Sequence, residues 1–146
     1  MPKLSVWMVR ASLIYMGIGF LFGALILHHK GIPIFDWTWK LLNPHITLMI
    51  FGWTMQFVMG IAFFILPRFS HRENRYGSEY LGWASFYLFN SGIVCSAVAG
   101  WFVHHMFTLI GTLFLLAGVI VYVVMIWSRV KPIAIGQPVK RPQVSN

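Results

Sequence analysis

Carboxylates are nearly absent from this chain: Asp36, Glu73 and Glu79 are the only three in 146 residues. Charged residues of both signs make up 10%, against roughly a quarter in a soluble domain. A water-facing surface cannot be built from that composition. The single cysteine, Cys95, lies inside an apolar run, which excludes a disulfide framework and a thiolate zinc site. No Asp, Glu, Lys or Arg stands in the middle of an apolar run, so a carboxylate proton relay has no members. A nucleophile triad and a zinc hydrolase both need an acid or base partner, and Asp36 alone lies near the candidate histidines. No linker-like stretch divides the chain, and its length allows one domain.

Positive charge is in excess, with 11 Lys and Arg and a formal net charge of +8. That balance suits a nucleic-acid binder, yet the basic residues sit in short segments between apolar runs, where membrane topology explains them. No nucleic-acid partner is expected. The first apolar run is followed by neither a small-residue cleavage site nor a soluble domain, so it reads as a membrane helix rather than a signal peptide.

Apolar residues make up 58% of the chain and gather into runs of membrane-spanning length, about 20 residues for a bilayer core of about 30 Å. The expected fold is all-α, an integral membrane bundle of four helices, approximately 10–28, 45–67, 79–101 and 105–128, with a loose basic tail over 131–146. The segment GIPIFDWTWKLLNP reads as a loop, with Pro33 and Pro44 as breakers and Trp37 and Trp39 suited to the headgroup belt. RFSHRENRYGSE is the one strongly polar loop. The 48 residues from Tyr80 to Trp127 are too long for one span and must fold as a hairpin, turning near Gly100 to His105. Nine basic residues fall on one side of this arrangement, and only Lys30 and Lys40 on the other. Both termini are therefore expected in the cytoplasm. Gly19 and Gly23, then Gly92, Ser96 and Gly100, recur at four-residue spacing and suit close helix approach.

Six histidines are present, and topology sorts them. His71 falls in the basic loop. His28, His29, His45, His104 and His105 all fall near the opposite, periplasmic helix ends. His28, His29 and one member of the second pair read equally well as interfacial residues facing headgroups. His45 is expected to open a helix after Pro44 and to point down the bundle. Imidazole is a common ligand for heme iron and for copper, and His104-His105-Met106 has soft ligands suited to Cu(I). A flat apolar slot closed by histidine suits heme b best.

The segment HITLMIFGWTMQFVMGIAFFILPRF resembles the second transmembrane helix of the catalytic subunit of heme-copper oxidases and nitric oxide reductases. The likeness rests on His45, Thr47, Met49, Ile50 and Phe51, then Gly60, then Leu66-Pro67. It extends over about residues 10–128, the first four helices of a much larger subunit. The resemblance implies that His45 is an axial ligand of a low-spin heme. The family's other heme and copper ligands lie in later helices, which this sequence lacks, so oxygen or nitric oxide reduction by this chain alone is not expected. The expectation is a small b-type cytochrome of a bacterial inner membrane, its iron ligated by His45 near the periplasmic face. His104 or His105 is the economical second ligand, and a second copy or another subunit is the other source. Two further readings stay open: a heme-based gas-binding module, and a heme-free structural subunit of a larger respiratory or photosynthetic complex. An incomplete family fold also suggests a homo-oligomer or a place in such a complex.

Overall fold

The computed structural model describes residues 1–33, 35–67, 78–99 and 105–130. They are helical, with no strand among them, and form four helices long and apolar enough to cross a membrane. We label these α1 (Lys3–Gly31), α2 (Asp36–Ile65), α3 (Glu79–Ala99) and α4 (His105–Trp127). Residues 100–104 of the expected turn, residues 68–77 of the polar loop and the tail over 131–146 lie outside the described residues.

α1 begins seven residues earlier than the apolar run. Its first turns are held by tertiary contacts: Leu4 and Met8 are buried, and Ser5 Oγ donates to the Gly60 carbonyl at 2.7 Å. α2 begins nine residues earlier than expected. A 3₁₀ turn over Asp36–Leu41 leads directly into α-helix over Leu42–Thr47, so Pro44 sits within the helix and His45 does not open it. Proline is tolerated here because the first helical turn leaves its N–H groups without intrahelical partners. A π-helical stretch, Leu48–Met55, follows before α-helix resumes over Gln56–Ile65. Leu66 then turns extended, as the residue before Pro67 must.

The helices pack as two hairpins, α1 with α2 and α3 with α4. Small residues make both possible. A Cβ at Gly19 would meet the Met49 side chain at 2.7 Å, and one at Gly92 would meet the Leu115 backbone nitrogen at 2.6 Å. The small-residue stripes thus face neighbours within the bundle, Gly100 lying outside the described residues.

Two side chains of the α4 end tie the hairpins together. Tyr122 Oη donates to the Met59 carbonyl at 2.6 Å. Arg129, only 1% exposed, turns inward and donates to the carbonyls of Phe63, Leu66 and Pro67 at 2.9, 2.8 and 3.2 Å. Its guanidinium also lies 5.0 Å from the Phe63 ring centroid. These carbonyls carry the negative end of the α2 dipole, so a buried cation is stabilised where water cannot reach. The outer flanks of α1 and α4 remain apolar and exposed, as lipid contact demands.

Candidate functional site

His45 is half-buried on the face of α2 that packs against α1. Its Nδ1 lies 2.8 Å from the Gly19 carbonyl oxygen. A carbonyl only accepts, so Nδ1 carries the proton and donates. In the neutral ring, Nε2 then keeps its lone pair. Gly23 makes the approach possible, because a Cβ there would come within 2.8 Å of His45 Cε1. A ligating histidine is commonly fixed in this way, with its other nitrogen donating to a carbonyl. The π-helical stretch begins three residues further on, and such irregular turns gather at functional sites.

His28 and His29 occupy the last turn of α1; His28 is exposed, while His29 meets Trp39 edge-on, with centroids 6.3 Å apart. His104 lies outside the described residues. His105 opens α4, and its side chain is likewise not described. Met106 beside it is exposed. Among the described residues no three of His, Cys, Asp or Glu come together as a metal-binding group. An axial position on heme needs only one imidazole, so the donor chemistry of His45 fits that group.

A cleft of about 420 Å³ lies on the other side of α2, between α2, α3 and α4. Asn43, Thr47, Phe51, Phe89, Ser96 and Thr112 are among its lining residues. Asn43 and Thr47 are one turn apart and share a face; His45, two residues from each, points about 200° away. The structure therefore sets His45 against α1 and the beginning of α4, at Thr108 and Thr112, on the cleft side.

A polar cluster that sequence reasoning assigned no role crosses the middle of the bundle. Tyr15 Oη donates to Asn90 Oδ1 at 2.8 Å, and Gln56 Nε2 reaches the same oxygen at 3.4 Å. Asn90 Nδ2 donates in turn to the Phe86 carbonyl at 2.7 Å. Gln56 Oε1 is buried with no partner among the described residues. The available signal was the isolation of Gln56 and Asn90 in apolar runs, since polar groups at that depth seek one another.

Comparisons with family models, with characterised proteins and with solved structures return no match.

Proposed function

We propose that the chain is a small b-type cytochrome in which His45 is an axial ligand of heme b. The observation that carries this reading is the hydrogen bond of 2.8 Å between His45 Nδ1 and the Gly19 carbonyl. It fixes one nitrogen as donor and leaves Nε2 as the basic one, which is the form iron requires. Heme would supply a one-electron carrier. The chain's own part is to orient the imidazole, through Gly19 and Gly23, and to surround the group with apolar helix.

The nine-to-two distribution of Lys and Arg supports cytoplasmic termini in a bacterial inner membrane, with His45 towards the periplasm. His104 and His105 are the second ligands that α4 offers, and a second copy or another subunit is the other source. The position of α4 across the cleft favours another chain. A second reading has one observation in its favour: the His45–Gly19 contact also serves as a plain helix–helix hydrogen bond in a heme-free structural subunit. A pyridine hemochrome assay on the purified protein and on its His45→Ala variant decides between them. Heme b in the first and none in the second is the expected result; equal heme in both overturns the assignment.

A further inference from the structure

At the end of the bundle opposite His45, α1 and α3 begin side by side, and their turns stand level. Leu4 packs where a Cβ on Gly82 would go, and Tyr15 Oη donates to Asn90 Oδ1 at 2.8 Å. Between those two contacts lies a groove of about 370 Å³, lined by Trp7, Arg10 and Ile14 of α1 and by Trp83, Phe86 and Tyr87 of α3. Trp83 stacks on Tyr87 with centroids 6.0 Å apart and meets Phe86 edge-on at 5.9 Å, which makes that wall a block of rings. Trp7, Arg10, Ile14 and Tyr87 are exposed, so the groove is open along its length. Trp83 also borders an outer cleft nearer the helix starts, lined by Lys3 and Glu79. From the end inward the chemistry therefore runs from Lys3 and Glu79, through two indoles and a guanidinium, to apolar surface. Helical side chains lean towards the start of their helix, so Arg10 reaches back to the level of Trp7 and Trp83. A long basic side chain takes that course at a membrane boundary, its stem on apolar surface and its head in the polar layer. Tryptophan gathers at the headgroup level. No carboxylate is among the lining residues of the groove itself, so Arg10 meets no counter-ion there.

We propose that this groove holds one phosphatidylethanolamine-type lipid, its phosphate at Arg10 between the two indoles and its ammonium at Glu79. The order of charges along the groove carries the choice. Glu79 is four residues before Trp83, about 6 Å further out along the helix, and an ethanolamine ammonium likewise stands outside its phosphate. A guanidinium pairs with a phosphate through charge-assisted hydrogen bonds, and Lys3 gives the phosphate a second cation in the outer cleft. A headgroup with negative charge alone would satisfy Arg10 but set that charge against the Glu79 carboxylate. A choline head matches the charges, yet it has no N–H to give Glu79, whereas an ammonium has three. The acyl chain follows Ile14 and Phe86 inward until the Tyr15–Asn90 hydrogen bond closes the groove. Nothing in this site depends on heme at His45.

The test is native mass spectrometry of the full chain released from detergent micelles. It is titrated with phosphatidylethanolamine, phosphatidylcholine and phosphatidylglycerol carrying identical acyl chains. Phosphatidylethanolamine should bind about three- to fivefold more tightly than phosphatidylcholine, the range for one exposed ion pair. Arg10→Gln should weaken it by a similar factor. Glu79→Gln should bring it down to the phosphatidylcholine value and leave phosphatidylcholine itself unchanged. Both positions are exposed, and circular dichroism checks that each variant keeps its helicity. A phosphatidylethanolamine with a diazirine in its acyl chain should label residues within 7–14 or 83–87. Equal affinity for the three lipids, tighter binding of phosphatidylglycerol, unchanged affinity in either variant, or labelling confined to other segments overturns the proposal. Labelling of other segments alone is also the result expected if a second copy covers this face. Lipid binding is read on protein with or without a Soret band, so failure of the heme reading is scored separately.

Discussion

At His45 the two ring nitrogens have different fates, and two glycines decide which. Gly19 contributes a carbonyl that holds Nδ1, while Gly23 leaves the space the ring occupies. If His45 is the ligand, as proposed, His45→Ala should insert normally, since the apolar spans are untouched, and carry no Soret band. Gly23→Ala is the finer probe. Its Cβ would lie 2.8 Å from Cε1, so the ring must swing and the bond to Gly19 must lengthen. Heme occupancy, read as the Soret-to-protein absorbance ratio, should fall. Gly17→Ala is the control, because nothing lies within 4 Å of the added methyl, and its ratio should match the parent. Equal heme in the Gly23 and Gly17 variants would break the link between helix packing and ligand orientation.

The helices themselves show why some of this was legible and some was not. Four apolar runs announced four helices, because a bilayer core demands length and hydropathy that few other structures need. The start of α2 was hidden because Pro44 and the polar stretch before it read as loop. A proline in a first helical turn costs no hydrogen bond, and composition alone does not reveal which turn that is. The π-helical stretch, Leu48–Met55, was equally invisible. Its effect is large: eleven residues of regular α-helix would bring Gln56 back to the His45 face. Underwinding instead lets His45 meet α1 while Gln56 approaches Asn90 on α3. His45 was a candidate because a family likeness and an apolar setting coincided there, and the structure adds its hydrogen bond to the Gly19 carbonyl. Tyr15, Gln56, Asn90 and the cleft depend on which helices touch, which periodicity does not record. Arg129 read as a topological charge and proves to be a cap on α2. Arg129→Met should leave three carbonyls without their donor, lowering stability by about 2–4 kcal/mol, measured by mild-detergent to SDS titration. An unchanged midpoint would mean that water or lipid replaces the guanidinium.

For the molecule as a whole, the basic bias predicts an orientation and the proposed site predicts a stoichiometry. A periplasm-active reporter fused after Asn146 should stay silent, as the nine-to-two distribution of Lys and Arg predicts. Activity there would move His45 to the other face of the membrane. Assembly follows from where His45 points. Its ring lies against α1, whereas the beginning of α4 lines the cleft on the far side of α2. Two helices packed about 8–10 Å apart leave no room for a heme standing between them, so a heme held by His45, as proposed, would lie at an outer flank of the α1–α2 hairpin. That flank offers exposed apolar residues, Phe20 and Leu21 among them, and a second copy meeting it can bring its own His45. Such a pairing, with one ring from each chain, gives half a heme per chain and a six-coordinate, low-spin spectrum. Hemochrome quantification against amino-acid analysis measures that ratio, and cross-linking in native membranes should show a dimer. One heme per chain, with His104→Ala or His105→Ala turning the spectrum five-coordinate, would instead assign the second ligand to α4. Monomer alone on cross-linking, with heme retained, would exclude the shared site, because a single copy has only one His45 to offer.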